Sequence, residues 1–247
     1  TPERVVEAYL GRRLKGVGLV VLDEPEPILS SPAARELGEI LSRPEPRVQQ
    51  VLVGATFGER SERWIRERLG PSVVRTRVEE DPLASQIAHY FVRLRHEGER
   101  ELALLRLLEQ ERCRRVVVFS DQPPRIRHLY RTLTERGLAP VTVSHERSKE
   151  QCKRALLDFD QGRARVLLAS DLVATGVDVA RAEWVLHYEL PGSAAAYVHR
   201  AGRTGRAGRT GTSVVFVSDA ERARLGQLER DLGFTLAPFG RTKTATR

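Results

Sequence analysis

Methionine is absent from this chain of 247 residues, and lysine occurs only at Lys15, Lys149, Lys153 and Lys243. A complete translation product begins with methionine, so Thr1 is expected not to be the native start, and the chain reads as a fragment or processed form. Two cysteines, Cys113 and Cys152, are too few for a disulfide framework or a cysteine-built metal site. They fit a reducing compartment inside the cell. There is no apolar run long enough to span a membrane and no signal-peptide pattern. The phosphate-cradling pattern G-x-x-x-x-G-K-[ST] occurs nowhere. What is present is positive charge: 41 basic against 33 acidic residues give a net charge of +8, and the basic residues are nearly all arginine. Such an excess suggests a polyanion partner, nucleic acid before membrane. With 40% hydrophobic and 30% charged residues, the length suits one large or two small globular domains.

The arginines concentrate in one stretch, Tyr197-Val198-His199-Arg200-Ala201-Gly202-Arg203-Thr204-Gly205-Arg206-Ala207-Gly208, with Arg209 following. Ser193 to Val198, after the breaker pair Pro191-Gly192, is a good helix former. The helix is expected to fail between Gly202 and Gly208, where glycine permits irregular backbone. On a helix, His199 and Arg203 share a face. Guanidinium groups gathered with no acid beside them call for an anion held in fork geometry, phosphate above all. The string resembles motif VI of the DEAD-box RNA helicases. That resemblance implies that Arg203 and Arg206 reach the γ-phosphate of ATP as arginine fingers, with His199 in the same nucleotide site.

Further matches follow in family order. Thr1-Pro2-Glu3-Arg4 opens a helix with proline in its first turn and resembles the family's TPGR motif, implying RNA-phosphate contacts from Thr1 and Arg4. Glu3 stands where the family has glycine. Val17 to Leu22 reads as a buried parallel strand, and Asp23-Glu24-Pro25-Glu26 sits at its carboxyl end, where open α/β sheets bind ligands. The match is to the DEAD motif. It implies that Asp23 holds Mg²⁺ through water, that Glu24 activates the attacking water, and that Glu26 takes the fourth, nucleotide-side position. A helix over 33–41, a strand over 48–53, a helix over 60–69 and a strand over 73–78 complete this half. Gly54-Ala55-Thr56 resembles the family's SAT motif, with Gly54 in place of serine.

From Ile87 strands and helices alternate to Asp231, which argues a parallel sheet with helices on both faces. Strands are expected over 87–94, 115–120, 141–144, 165–169, 184–189 and 211–218. Helices are expected over 99–109, 125–136, 149–159, 193–201 and 219–231, the last capped by Asp219. Ala169-Ser170-Asp171-Leu172-Val173-Ala174-Thr175-Gly176-Val177-Asp178 resembles motif V. By that resemblance Ser170 and Gly176 meet RNA and Asp178 accepts from the ATP ribose. Ser144 to Cys152 lies where the family has an RNA-contacting motif, with Lys149 at its glutamine position.

The resemblance covers nearly all of residues 1–232. It implies an α/β chain of two RecA-like parallel-sheet domains, the first incomplete (1–82) and the second complete (83–232), with a C-terminal tail (233–247) for which no element is expected. The function implied is that of an ATP-dependent RNA helicase, remodelling RNA or ribonucleoprotein with ATP and Mg²⁺ bound between the two domains. RNA and a ribonucleoprotein complex are the expected partners, with no membrane and no homo-oligomer implied. The front half carrying the P-loop lysine is expected upstream of Thr1. The alternative is a catalytically degenerate helicase serving as an RNA-binding assembly factor in a large ribonucleoprotein such as a maturing ribosome. A DNA translocase on the same fold is a third reading. Mitochondrion and nucleus or nucleolus are the expected compartments.

Overall fold

The computed structural model describes residues 2–10, 17–42, 49–54, 57–70, 72–76, 86–110, 113–144, 146–170, 182–205 and 208–240. The chain divides into two compact units, Thr1–Glu79 and Glu80–Arg247.

The first unit holds two parallel strands, β1 (Leu19–Asp23) and β2 (Gln49–Val53), in register from Leu19 opposite Gln49 to Asp23 opposite Val53. Four helices accompany them: α1 (Pro2–Leu10), α2 (Pro25–Leu29), α3 (Ala34–Leu41) and α4 (Glu59–Trp64), which runs on into a π-helical turn, Ile65–Leu69. Period two in the strands and period 3.6 in α3 bring one apolar face of each together. Leu22, Leu37 and Leu41 form the buried centre, with Val6, Val20, Ile28, Leu52 and Trp64 packed around it. The opposite face of the strand pair is open: Leu19 and Val21 are 51% and 53% exposed.

The strand expected over 73–78 does not form in its described part, 73–76. Instead Arg75 grips Glu62 with two parallel hydrogen bonds, of 2.8 and 2.9 Å, which tie this segment to α4. Val74, left 90% exposed, gains nothing from strand geometry there.

The second unit is a seven-stranded, all-parallel sheet in the order β5-β6-β4-β7-β8-β3-β9. Its strands are β3 (Ile87–Leu94), β4 (Val116–Phe119), β5 (Pro140–Val143), β6 (Val166–Ala169), β7 (Trp184–His187), β8 (Gly211–Ser218) and β9 (Ala237–Pro238). Among the described residues the helices between them are α5 (Arg100–Gln110), α6 (Pro123–Glu135), α7 (Lys149–Asp160), α8 (Ala194–Ala201) and α9 (Arg222–Leu232). Alternation along β4 sorts them by face. Val116 and Val118 pack with Leu104, Leu108, Leu129 and Leu133 of α5 and α6. Val117 and Phe119 face the α7 side with Ala155 and Phe159. Tyr197 of α8 and Leu225 and Leu228 of α9 cover Val215 and Val217 of β8. Every residue of β4 and β6 is buried, which is why they are continuous apolar runs.

Two expectations are corrected. The last helix is not capped by Asp219: Ser218 and Glu221 form a capping box over the 3₁₀ turn that leads into it, and Asp219 is drawn off to Arg93 at 2.6 Å. The segment from 233 is not a bare tail. Ala237 and Pro238 pair with Tyr90 and Phe91 as β9, and the Phe239 N–H donates to the Phe91 carbonyl at 2.8 Å. Phe239 then packs edge-on against Tyr90 and Trp184. A two-residue strand carries no readable period, and its aromatic anchor fixes it.

Candidate functional site

In the first unit β1 delivers an acidic pair at its carboxyl end. The Glu24 N–H donates to the Val53 carbonyl at 2.8 Å, carrying the ladder one residue past β1. Glu24 is forced to φ 51°, a left-handed conformation rare for a residue with a Cβ. Pro25 starts α2 directly afterwards, with its φ preset for a helix and no N–H to satisfy. The abrupt strand-to-helix corner therefore stores strain of about 1–3 kcal/mol at Glu24. Asp23 is exposed and Glu24 half-buried. An exposed carboxylate at a strand end suits a hydrated divalent cation, which keeps its waters and takes few protein ligands. Arg4 is exposed on α1. Thr1, Ala55 and Thr56, and the side chain of Glu26, lie outside the described residues.

In the second unit Ser193 caps α8 by accepting the Ala196 N–H at 3.2 Å. The helix stops at Ala201, so the expected helical face shared by His199 and Arg203 is not formed. Arg203 lies in the turn that follows, half-buried, and its Nε donates to the His199 carbonyl at 3.3 Å. Thr204 anchors that turn. Its hydroxyl lies 2.8 Å from the Ala182 carbonyl and 3.0 Å from the Glu183 carbonyl, just ahead of β7. Glycine is required on both sides of the contact. A Cβ on Gly205, at φ 67°, would sit 2.5 Å from Ile87 Cγ1, and one on Gly211 would sit 2.3 Å from Thr204 Oγ1. The turn is thus pressed against the first residues of β3 and β8.

One arginine of the string, Arg200, is turned inward to an acid of its own. Arg200 is 1% exposed, ion-paired with Asp121 beyond β4, with its guanidinium 5.6 Å from the centre of the Phe119 ring. It is a structural cation with its own acid. Sequence reasoning missed Asp121, although an acid just beyond a buried strand was a usable signal. Arg209 is exposed, and Arg206 lies outside the described residues.

The residues matched to RNA contacts lie elsewhere. Ser170 follows β6 at its carboxyl end, buried, and its N–H donates to the Val143 carbonyl at 3.4 Å. Lys149 is exposed in the first turn of α7, a helix capped by the Ser148–Gln151 box. Gly176 and Asp178 fall outside the described residues. Within this unit Ser170 and Lys149 therefore follow the carboxyl ends of strands, while the Arg203 turn docks at the amino ends of β3, β7 and β8.

Beneath α8 runs a buried polar chain. The Tyr197 hydroxyl and His89 Nδ1 share a hydrogen bond of 2.6 Å, and the Ser213 hydroxyl lies 3.3 Å from Tyr197 and 3.0 Å from His187 Nε2. His187 stacks on the Tyr197 ring at 4.9 Å. Burial holds the His187 pKa well below the usual histidine range, and the nearby Arg200 charge adds to this. Burial also pushes the Tyr197 hydroxyl far up. This network fixes α8, and so the Arg203 turn, on the sheet.

Known proteins resemble this chain in sequence and in fold. The model of the helicase conserved C-terminal domain matches residues 99–208. The DEAD-box ATP-dependent RNA helicase CshA of Geobacillus kaustophilus is 31% identical over 237 residues, 93% of this chain and 50% of that protein. The CshA of Listeria monocytogenes is 32% identical over 243 residues, 97% of this chain and 46% of its own length. Among solved structures, S. cerevisiae Dbp5 bound to RNA and ADP BeF3 superposes with a TM-score of 0.80 at 23% identity, covering 96% of this chain and 64% of that one. E. coli SrmB, solved bound to RraA, gives 0.60 at 27% identity, over 66% of this chain and 99% of that one. The fold is RecA-like α/β, and over nearly its whole length the chain is similar to DEAD-box RNA helicases. It spans about half the length of the CshA relatives it matches.

Proposed function

We propose that this chain is the part of an ATP-dependent RNA helicase that contributes both an acidic pair and arginine fingers to ATP hydrolysis. The observation that carries the proposal is the strained Glu24. Backbone strain on a non-glycine residue persists where the surrounding structure over-determines it, and here it falls on the residue matched to the catalytic carboxylate. In this reading Asp23 would hold Mg²⁺ through water, and Glu24 would orient and deprotonate the attacking water. Glu26 lies beside the phosphates and Asp178 on the ribose. Arg203 and Arg206, with His199, stabilise the charge that spreads over the transferred phosphoryl group. When bound there, Mg²⁺ would supply Lewis acidity toward the phosphate oxygens. RNA is held through phosphates and 2′-hydroxyls by residues such as Arg4, Lys149, Ser170 and Gly176, with little base reading.

The test is RNA-stimulated ATP hydrolysis by the full-length protein that contains this chain. Glu24→Gln keeps the shape of the corner and removes the base. It is expected to lower kcat by about 10²–10⁴ with RNA affinity retained. Turnover indifferent to this substitution sinks the reading. RNA binding without any turnover in the unaltered protein would favour the assembly-factor reading instead.

A further inference from the structure

The proposed reaction leaves one cavity unused. It lies at the outer edge of the second sheet, between α6 and the edge strand β5, and has a volume of about 680 Å³. That lies within the size range of ligand-binding clefts, about 300–1,000 Å³. Ile126 and Tyr130 of α6 line it on one side, and Thr142 of β5 on the other. Val141 and Val143 belong to the α7 face, so Thr142 points into the cavity. Thr142 is 6% exposed, and its Oγ1 has no hydrogen-bond partner among the described residues. A buried hydroxyl left so costs about 1–3 kcal/mol until something meets it.

Two more features point to the same occupant. Among the described residues β5 pairs only with β6. The Val143 carbonyl accepts the Ser170 N–H, so by the alternation of a parallel ladder the N–H and C=O of Thr142 face the free edge. The rim is cationic. Arg127 is neutralised by Glu146, but Arg131 and Arg147 have no carboxylate partner among the described residues. The Arg147 guanidinium lies 5.9 Å from the centre of the Tyr130 ring, so that ring face is not offered to a nucleobase.

We propose that this groove docks an extended acidic peptide segment of a partner protein. One aliphatic side chain enters against Ile126 and Tyr130. The peptide backbone runs along β5 and supplies an acceptor to the Thr142 hydroxyl. Flanking carboxylates pair with Arg131 and Arg147. Backbone addition to the sheet edge gives affinity, and the slot with its arginine rim gives selectivity. The free β5 edge and the single apolar slot suit an extended peptide, and the Tyr130 ring face that a base would stack on is taken by Arg147.

The experiment uses the chain of 247 residues. The probe is a short fluorescein-labelled peptide with one leucine flanked by aspartates and glutamates. Its comparators are the same peptide with the acids replaced by their amides, and a labelled oligouridylate. The acidic peptide is expected to bind by fluorescence anisotropy and to shift the methyl resonances of Ile126 and Thr142, while the amide peptide does neither. The double substitution Arg131→Glu and Arg147→Glu is expected to weaken binding by about tenfold or more. The same charge change on α9, Arg224→Glu with Arg230→Glu, is expected to leave affinity within about twofold. Equal weakening by both pairs means diffuse charge attraction and overturns the proposal. So does oligouridylate moving the Ile126 and Thr142 methyl signals when the peptide does not, which would make the groove an RNA surface. Absence of peptide binding at millimolar concentration overturns it as well. The methyl readout uses the unaltered chain, so it decides the matter even if a variant misfolds.

Discussion

Two strands of nearly the same composition meet opposite fates in this molecule. β1 is Leu-Val-Val-Leu-Asp in the first unit, and β4 is Val-Val-Val-Phe in the second. β4 has a strand on each side and helices on both faces, and none of its residues exceeds 1% exposure. β1 has one partner strand among the described residues, and only Leu22 of its residues is buried. Burying a valine or leucine fully is worth about 1.5–3 kcal/mol, so identical residue types contribute very different amounts in the two units. Pattern decides that a strand forms, whereas the number of layers around it decides what the strand is worth.

The largest expected effect comes from a hole cut in the well-covered sheet. Leu168 of β6 is fully buried against α5 and α6. Leu168→Ala is expected to cost about 3–4 kcal/mol, the sum of lost transfer energy and the cavity left behind. Urea unfolding followed by Trp184 fluorescence reads it, since Trp184 belongs to β7 of the same sheet. A loss under about 1 kcal/mol would mean that the second unit is packed no better than the first.

Next comes the buried cation. Asp121→Asn keeps the shape of the side chain but leaves Arg200, 1% exposed, without its acid. The expected cost is about 2 kcal/mol, below that of a fully buried pair because Asp121 is 42% exposed. Adding Arg200→Met to Asp121→Asn removes the stranded charge and is expected to recover most of the loss in the same urea experiment. Failure to recover would show that Arg200 is held by its other contacts and that Asp121 is incidental.

Smaller again is a pH effect confined to the second unit. His187 is buried neutral, with its folded-state pKa well below the ordinary 6.5. The unfolded chain therefore binds a proton that the folded chain refuses. Stability from this group is complete above about pH 6.5 and falls as pH drops below it, by at most about 1.4 kcal/mol per unit. His187→Gln is expected to flatten the stability profile between pH 6.5 and 5, measured by urea midpoint. An unchanged slope would assign acid sensitivity to other groups.

Much of the second unit was legible in the chain because each strand there is a short apolar run closed by a turn signal, and each helix carries an apolar stripe. β8 begins and ends where expected, at Gly211 and Ser218. What was illegible depended on long-range choices. Arg75 had Glu62 available on α4 and took it, so 73–76 did not become a strand. Asp219 met Arg93, far away in sequence, and left the cap to Ser218. In the candidate site, residue types and order were readable, but the division of labour among the arginines was not. Only the fold shows Arg200 turned inward to Asp121 and Arg203 left in the turn. The positive φ of Glu24 likewise has no signature in composition, since it arises from a strand bond at one residue and a helix-starting proline at the next.

The smallest effect sharpens the comparison most. Val21 is 53% exposed on the open face of the β1–β2 pair. Val21→Thr keeps the β-branch and the strand preference and exchanges one methyl for a hydroxyl. On an open face this is expected to change stability by no more than about 0.5 kcal/mol in the urea midpoint. On a covered face the new hydroxyl would be stranded without a partner and cost about 1–3 kcal/mol. A loss in that range would mean that the apolar face of the first unit is occupied in solution, and the contrast with β4 would then be one of partners rather than of architecture.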